Sequence, residues 1–357
     1  MEFFYSNFWR NKRVLITGDS GFKGSWLTCF LLNLGCHVKG ISLKPDETKV
    51  LYNSLMEDKE FLKFFKENLY IHNDIDIRNE DEVKDAILDF NPEIIFHLAA
   101  QPLVRESYIN PKLTWETNVI GSINLLESVR YLKKCSVIMV TTDKVYQNIS
   151  RKYGFKEDDR LGGDDPYSSS KAALELATKS WRKSFFGDNI VVSTARAGNV
   201  VGGGDWSKDR IIPDTINSLL KGIPLELRYP EAIRPWQHVL DPLWGYITLA
   251  EKQFNNQISC EYNFGPKTSD TLSVRELVNL IALYWGKEPK IEIIRNQPLE
   301  TKYLTISIDK AFKELNWEPR WNLRKTIYET VKWYKDVNKG ESPYKCIFEN
   351  IKSFLST

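Results

Sequence analysis

Cysteine and histidine are scarce in this sequence, and their spacing excludes two common kinds of site. Among 357 residues there are five cysteines, an odd number, and no two of them form a C-x-x-C pair. The four histidines are scattered and form no pair at ligand spacing. We therefore expect neither a disulfide framework nor a metal site, and this cysteine usage is typical of a reducing cytoplasm.

Long apolar runs and an excess of charge of either sign are also missing. No run approaches the roughly 18 apolar residues that a membrane span requires, and residues 1–13 lack the continuous apolar stretch of a signal peptide. The 49 basic and 47 acidic residues give a net charge of +2. We expect neither a membrane nor a nucleic-acid partner, although a local cluster of arginine and lysine could still bind a small anion.

The first half of the chain alternates short apolar runs with amphipathic segments. The runs predict strands at 14–16, 38–42, 69–72, 94–98, 136–141 and 190–196. The amphipathic segments predict helices at 25–34, 81–90, 113–132 and 171–184, and the charged segment 57–67 predicts a solvated helix. This alternation predicts an α/β fold, a Rossmann-like doubly wound parallel sheet with helices on both faces. Ligands of such sheets bind beyond the carboxyl ends of the strands.

Beyond about residue 198 the alternation becomes irregular. Five prolines interrupt it between positions 213 and 242, and short helices are predicted at 274–285 and 323–335. We predict a dinucleotide-binding domain over residues 1–198. Residues 199–357 then form mainly a smaller, mixed α/β substrate-binding lobe, with a return to the sheet within 238–265, near 262–264.

Three evenly spaced glycines follow the first predicted strand. Gly18, Gly21 and Gly24 form a G-x-x-G-x-x-G pattern, which differs from the better-known G-x-G-x-x-G. Glycine lets the backbone approach a pyrophosphate closely, and the next helix offers free N–H groups and the positive end of its dipole. The position after a strand favours a dinucleotide site over a purely structural turn.

The second predicted strand lacks the acidic residue that usually binds the ribose of NAD. Residues 40–44 read Gly-Ile-Ser-Leu-Lys, without a carboxylate. Lys44 could instead meet the 2′-phosphate of NADP. These residues alone therefore leave NAD and NADP open.

A tyrosine and a lysine follow the fifth predicted strand. Tyr167 and Lys171 are one helical turn apart, so their side chains share a face. An ammonium close to a phenol lowers its pKa from about 10 towards neutrality. The phenolate can then accept a hydroxyl proton while hydride leaves the same carbon, and Lys171 could also hold the nicotinamide ribose.

Together these motifs resemble the extended short-chain dehydrogenase/reductases. The glycine turn, the stretch 97–101 (His-Leu-Ala-Ala-Gln), Thr117-Asn118 and the Tyr167/Lys171 pair carry the resemblance, which extends over nearly the whole chain. It implies NAD as cofactor and a homodimer or tetramer built through helices 113–132 and 171–184. The implied cofactor-binding residues are Gly18, Gly21, Phe22, Lys23, Gly24, Asp76, Ile77, Leu98, Ala99, Ala100, Gln101, Tyr167 and Lys171. His97 and His238 are interpreted as structural.

Within that superfamily the chain resembles the nucleotide-sugar 4,6-dehydratases. The fifth strand leads into Thr142-Asp143-Lys144, where dehydratases of dTDP- and GDP-linked sugars carry Thr-Asp-Glu, with aspartate as acid and glutamate as base. Lys144 at the third position resembles the CDP-glucose 4,6-dehydratases, as do the stretches 22–27, 162–167, 196–206 and 234–239. The resemblance implies CDP-glucose as substrate and Thr142, Asp143, Lys144, Tyr167 and Lys171 as catalytic residues. Lys144 could be the carbon-5 base if it is neutral for part of the time, or it could orient Asp143 or a water.

The substrate diphosphate and base need further contacts from the second half of the chain. Candidates are Asn199, Arg210, Arg228, Arg234, Glu300 and Tyr303, since guanidinium forks fit phosphate oxygens. Asp143 and Lys144 could instead be a turn cap and a surface lysine. Rival functions are a 4-epimerase, a silent dinucleotide-sensing regulator and a simple reductase. The epimerase usually has small residues where Asp143 stands, and silent regulators tend to lose the tyrosine or the lysine.

Overall fold

The computed structural model describes residues 7–45, 50–149, 153–256, 258–267, 270–294 and 304–357. Strands and helices alternate through the first half. In chain order they are β1 (Arg13–Thr17), α1 (Phe22–Asn33), β2 (His37–Ser42), α2 (Leu51–Met56), α3 (Leu62–Lys66), β3 (Tyr70–Asp74), α4 (Glu80–Phe90), β4 (Ile94–His97), α5 (Val104–Ile109), α6 (Pro111–Trp115), α7 (Ser122–Val129), β5 (Cys135–Val140), α8 (Pro166–Ser184) and β6 (Ile190–Ala197).

The second half has shorter strands and ends in two helices. Its elements are β7 (Asn199–Val201), α9 (Ile211–Lys221), β8 (Leu225–Leu227), β9 (Ile233–Arg234), β10 (Trp236–His238), α10 (Leu240–Asn256), β11 (Glu261–Phe264), β12 (Leu272–Ser273), α11 (Val274–Trp285), β13 (Ile291–Ile293), α12 (Leu323–Asn338) and α13 (Pro343–Leu355).

Seven strands form the central sheet, in the order β3-β2-β1-β4-β5-β6-β11. All neighbouring pairs are parallel, which confirms the predicted doubly wound α/β fold. The strand order reverses between β1 and β4, and sheets of this kind bind ligands in the crevice at such a switch point. The pairs β7/β10, β9/β12 and β8/β13 form small separate sheets.

Both halves of the chain contribute to the main hydrophobic core. Trp26, Tyr262, Trp333 and Phe354 are all at most 2% exposed and belong to one cluster. The edge strand β11 pairs with β6, α10 packs on β5, and α13 packs on α1. The predicted division at residue 198 therefore crosses a shared core. Within the described residues, no helix has the length and apolar character to cross a membrane.

The long helix predicted at 113–132 is interrupted by a π-helical stretch. Helix α6 is followed by π-helical Glu116–Gly121 and then by α7. Within this stretch Asn118 points its amide at Gln101 and Ser170. Gly121 faces Ile77, where an added Cβ would lie 2.7 Å from the isoleucine side chain. Such local insertions often occur where a helix serves a site.

The solvated helix predicted at 57–67 is wrong. Only Leu62–Lys66 is helical there, and Phe61 is 1% exposed. The buried Asp58 explains the difference, because its Oδ1 accepts the backbone N–H groups of Glu60 and Phe61. Its Oδ2 accepts the backbone N–H of Tyr344 at the start of α13. A tertiary contact, rather than the local charge pattern, therefore sets this segment.

Candidate active site

The glycine turn after β1 is packed too tightly for any side chain on two of its glycines. A Cβ on Gly18 would lie 2.7 Å from the Ala99 nitrogen, and one on Gly24 would lie 2.0 Å from the Gly18 oxygen. Helix α1 begins at Phe22 without a side-chain cap and without an acidic residue in its first turn. The free N–H groups and positive dipole end thus face the crevice, which fits the pyrophosphate of a dinucleotide.

The loop after β4 lies against the glycine turn, because Leu98 and Ala99 are the nearest neighbours of Gly18. The backbone N–H of Leu98 donates to the Thr17 oxygen at 3.0 Å, and that of Gln101 donates to Asn118 Oδ1 at 2.8 Å. The amide nitrogen of Asn118 in turn donates to Ser170 Oγ of α8 at 2.9 Å. These hydrogen bonds therefore connect the predicted cofactor loop to helix α8.

His97 ends β4, and the predicted cofactor residues Asp76 and Ile77 follow β3. His97 lies 2.7 Å from both Thr17 Oγ1 and Ser122 Oγ, and burial, helped by the Lys171 charge, lowers its pKa to about 3. This geometry agrees with a structural, uncharged imidazole. Asp76 forms an ion pair with Arg78, and Ile77 is buried.

Local capping places Tyr167 and Lys171 at the start of α8. Asp165 is the N-cap and accepts the Ser168 N–H at 2.9 Å, while Pro166 fills the first helical position. Tyr167 and Lys171 are both buried, and Lys171 Nζ donates to the Val140 oxygen at the end of β5, at 3.3 Å. The helix thus brings the tyrosine–lysine pair to the carboxyl end of the sheet.

The expected lowering of the Tyr167 pKa by Lys171 is wrong for this fold. Burial raises the pKa of Tyr167 to about 12, and the hydrogen bond with Thr142 and the charge of Arg210 only partly oppose it. Burial together with the charge of Lys23 lowers the pKa of Lys171 to about 7. Lys171 is therefore itself a destabilised cation in this structure.

Asp143 is a buried carboxyl group at the end of β5. It accepts the Thr142 hydroxyl at 3.0 Å, and its Oδ2 lies against Gly198, where a Cβ would come within 2.9 Å. Burial raises the pKa of Asp143, although Lys144, Thr142, Lys23 and Arg234 all oppose the shift. Thr142, rather than Asp143, caps the short 3₁₀ turn Asp143–Val145, because its Oγ1 accepts the Lys144 N–H. Asp143 is therefore left available for proton transfer.

Lys23 and Lys144 are the two lysines that act electrostatically on Asp143. Both are half-buried. Burial and the nearby Arg210 lower the pKa of Lys23 to about 8, against the opposing charge of Asp143. The sequence assigned Lys23 to the cofactor alone, and its place beside the acid could not be read from the glycine motif.

The predicted substrate residues fall into three groups. Arg210 Nη1 donates to Asp205 Oδ2 at 2.9 Å, and its charge reaches both Tyr167 and Lys23. Arg234 acts electrostatically on Asp143. For the remaining candidates, Arg228 bonds Asp209 and Asn199 opens β7 opposite Trp236, whereas Glu300 and Tyr303 lie outside the described residues.

A buried ion pair behind the site is absent from the sequence predictions. Both oxygens of Glu175 bond the guanidinium of Arg196 at 2.9 Å, and they also accept the hydroxyls of Thr141 and Thr194. Thr141 directly precedes Thr142, and Glu175 lies one helical turn after Lys171. The spacing from Lys171 to Glu175 was the available signal, but an acid on a helix face usually indicates a solvated side chain.

Comparisons with known proteins agree with this geometry. The family model described as GDP-mannose 4,6-dehydratase matches residues 15–330. CDP-glucose 4,6-dehydratase of Salmonella typhimurium is 40% identical over 98% of this chain and 98% of its own length. UDP-glucose 4-epimerase of Pisum sativum is 27% identical over 93% of this chain and 98% of its own.

Solved structures support the fold. The NAD complex of dTDP-glucose 4,6-dehydratase from Bacillus anthracis superimposes with a TM-score of 0.78, at 24% identity, and covers 93% of this chain and 99% of its own. The full-length match to a relative at 40% identity and the family model agree with the dehydratase-like motifs around Thr142 and Tyr167. The chain accordingly belongs to the GDP-mannose 4,6-dehydratase family of extended short-chain dehydrogenase/reductases.

Proposed function

We propose that this protein is an NAD-dependent hydro-lyase that converts CDP-glucose into CDP-4-keto-6-deoxyglucose. The observation that carries the proposal is a buried acid, Asp143, hydrogen-bonded to Thr142 next to the buried Tyr167. A 4-epimerase needs only the tyrosine, whereas elimination of water also needs a proton donor. The 40% identity to a CDP-glucose 4,6-dehydratase over almost the whole chain supports the choice of nucleotide.

The glycine turn, the 98–101 loop and the tyrosine–lysine pair are the residues that would hold NAD. When bound, this cofactor supplies an acceptor for the carbon-4 hydride, a donor that returns it to carbon 6, and a positive ring charge that favours the phenolate. The tight contacts at Gly18 and Gly24 and the uncapped start of α1 fit its pyrophosphate. Lys171 is held by the Val140 oxygen at the carboxyl end of β5, at the same edge of the sheet as the glycine turn after β1.

In the oxidation step Tyr167 takes the proton of the carbon-4 hydroxyl. Thr142 hydrogen-bonds with Tyr167, so its hydroxyl can contact the same substrate oxygen. The buried position of both side chains excludes water and protects the reaction from side hydrolysis. General acid–base steps of this kind typically contribute 10²–10⁴-fold each.

In the elimination step a base removes the carbon-5 proton and Asp143 protonates the carbon-6 hydroxyl. The two electrons of the carbon–hydrogen bond form the carbon–carbon double bond, and the protonated hydroxyl leaves as water. The protonated base then returns its proton to carbon 5 when carbon 6 receives the hydride. The raised pKa of Asp143 keeps it able to donate a proton. Lys144 is the proposed base, and Lys23, whose pKa is lowered to about 8, is a second candidate in the same place.

The proposed function is tested by incubating the purified protein with CDP-glucose and catalytic NAD. We expect a product lighter by one water, formed without net reduced cofactor. A new sugar isomer of unchanged mass would mean an epimerase instead. Loss of water only from a different nucleotide-glucose would keep the mechanism and overturn the choice of CDP.

Matched variants test which of the two lysines beside Asp143, Lys144 or Lys23, is the carbon-5 base. If Lys144 is the base, Lys144→Ala stalls after oxidation and accumulates reduced cofactor, whereas Lys23→Met continues to eliminate. Full turnover of Lys144→Ala would remove Lys144 as the base. A stall in Lys23→Met alone would assign the step to Lys23.

We further propose a homodimer or tetramer in a reducing compartment such as the cytoplasm. Several large apolar side chains on α5–α7 and the outer face of α8 are exposed: Tyr108, Ile109, Trp115, Ile120 and Leu176. Exposed apolar patches of this kind mark interfaces. All five cysteines are free thiols. Light scattering after gel filtration tests the assembly, and Leu176→Glu should shift it towards the monomer.

A further inference from the structure

Asp19 lies inside the glycine turn, yet its side chain packs against the neighbouring strand. A Cβ placed on Gly40 would lie 1.8 Å from Asp19 Oδ2, so only a glycine at this position of β2 leaves room for the carboxylate. Gly40 is two residues before the end of β2. The acidic group that β2 lacks in its own sequence is therefore supplied beside that strand by the turn.

Strand β3 holds this carboxylate in place. The Tyr70 hydroxyl donates to Asp19 Oδ2 at 2.5 Å, and His72 Nδ1 lies 2.7 Å from the same oxygen. Tyr70 and His72 are two residues apart and share a face of the sheet. His72 is also the register partner of Gly40. The carboxylate is thus fixed over β2 by two side chains of the next strand.

The negative charge of Asp19 is only partly compensated. Its Oδ1 is buried and has no hydrogen-bond partner within the described part of the chain. His72 divides its positive charge, because its Nε2 lies 3.2 Å from Asp74 Oδ1. Buried polar atoms without a partner are uncommon in folded proteins and require an explanation.

We propose that Asp19 selects NAD over NADP, with Tyr70 and His72 as its positioning residues. The inference rests on the proposed function, because it assumes that a dinucleotide lies along this turn. In such folds the adenine ribose lies beside the end of the second strand. The 2′-phosphate of NADP brings about 1.5 to 2 negative charges to that place. A buried carboxylate repels them through a low-dielectric interior without direct contact, whereas the ribose hydroxyl of NAD is neutral.

Lys44 opposes this selection only weakly. It is exposed just beyond the end of β2, at the point where the sequence left NADP open. Solvent and salt screen an exposed ammonium far more than a buried carboxylate. The structure therefore assigns the choice of cofactor to the turn rather than to the strand end.

Calorimetric titration of NAD and NADP into the protein, without sugar nucleotide, tests the selection. We expect the wild type to bind NAD at least about tenfold more tightly than NADP. Asp19→Asn keeps the shape and should reduce that ratio by about tenfold, since the repelling charge is gone. His72→Gln keeps a hydrogen-bond donor but loses the positive charge, so the ratio should increase. Lys44→Ala is the matched control, with a ratio within about twofold of the wild type.

The affinity ratio is expected to fall in Asp19→Asn and to rise in His72→Gln. These opposite changes distinguish cofactor selection from simple damage to the turn. If both substitutions weaken NAD and NADP in parallel, Asp19 is only structural and the proposal is overturned. Equal binding of the two dinucleotides by the wild type also overturns it and leaves the proposed function intact. Failure of the wild type to bind either dinucleotide would instead remove the proposed function.

The wild type supplies a second measurement that does not depend on a folded variant. Burial alone would lower the pKa of His72, but the hydrogen bonds and charges of Asp19 and Asp74 outweigh it and raise the pKa. The titratable groups that face the imidazole are Asp19, Asp74, Tyr70 and Tyr52, whose ring lies 5.0 Å away. As pH rises through this raised pKa, Asp19 loses its compensating charge and the preference for NAD should increase. A ratio that does not change with pH would contradict the proposal.

Discussion

Two buried carboxyl groups near the carboxyl end of the sheet have opposite surroundings. Glu175 accepts two guanidinium and two hydroxyl hydrogen bonds, which use both of its oxygens. Asp143 accepts one hydrogen bond, from Thr142, within the described part of the chain. Burial raises the pKa of Asp143 despite several nearby cations. Glu175, whose oxygens are fully hydrogen-bonded, stabilises the fold. Asp143, which accepts a single hydrogen bond, can exchange a proton.

The same contrast separates the cations. Arg196 is 2% exposed and is fully engaged by Glu175, Tyr146 and the Glu157 oxygen. Lys171 is equally buried, but its ammonium has only the Val140 oxygen as a hydrogen-bond partner in the described structure. The two residues proposed to do the chemistry, Asp143 and Lys171, are thus incompletely paired. Such incomplete pairing costs stability, whereas the fully paired Glu175 and Arg196 contribute stability.

The largest expected effect follows from Asp143→Asn. Turnover should fall by about 10²–10⁴-fold, because the amide cannot protonate the leaving hydroxyl. The free energy of unfolding should stay the same or increase slightly, since a carboxyl group whose pKa is raised in the folded state is destabilising when it is ionised. Steady-state kinetics and chemical denaturation measure the two quantities. Unchanged turnover would show that Asp143 is not the proton donor.

Glu175→Ala should have the opposite pattern, with its main effect on the free energy of unfolding rather than on turnover. Removing this acid leaves the Arg196 charge buried and unpaired, which typically costs about 3–5 kcal/mol of unfolding free energy. Urea denaturation measures the loss. Glu261→Ala is the matched control, because the Glu261–Arg182 pair at 2.9 Å is partly exposed, and we expect it to cost about 1 kcal/mol or less. Similar losses in the two variants would mean that Glu175 has no special structural role.

Lys171→Met should stabilise the protein at low pH while also lowering turnover. The folded pKa of about 7 lies below the unfolded value of about 10.4. The unfolded chain therefore binds this proton more tightly, and the penalty is complete below pH 7 and is relieved as pH rises towards 10. We expect the variant to exceed the wild type by about 2–4 kcal/mol at pH 6. The gap should narrow by pH 9, as followed by denaturation at both values. A constant gap would contradict the pKa argument.

The smallest effect is expected at the exposed pair of Arg105 and Asp209. Arg105 Nη1 and Asp209 Oδ1 are 3.0 Å apart, and both side chains are more than 40% exposed. Arg105→Ala should change the unfolding free energy by about 0.5 kcal/mol or less, and added salt should remove even that. A loss of unfolding free energy comparable with that of Glu175→Ala would contradict the distinction between fully hydrogen-bonded buried pairs and surface pairs.

The sequence predicted the sheet because its periodicity is local. The strands at 14–16 and 136–141 and the helix at 171–184 all lie within a few residues of their observed bounds. The helix prediction for 57–67 was wrong because Asp58 contacts the start of α13, which is far away along the chain. The π-helical stretch was equally invisible, since it depends on how Asn118 and Gly121 meet other elements.

The sequence by itself determined the fold class, the glycine turn and the residue types at the proposed catalytic positions, because these depend on neighbours along the chain. Only the tertiary structure decided the pKa values of the site residues and the position of the carboxylate beside β2. It showed that Tyr167 becomes a weaker acid, that Lys171 is a destabilised cation and that Asp19 takes the place beside β2 where the sequence has no acid. The physical reason is that pKa values depend on burial and on charges brought together from distant parts of the chain.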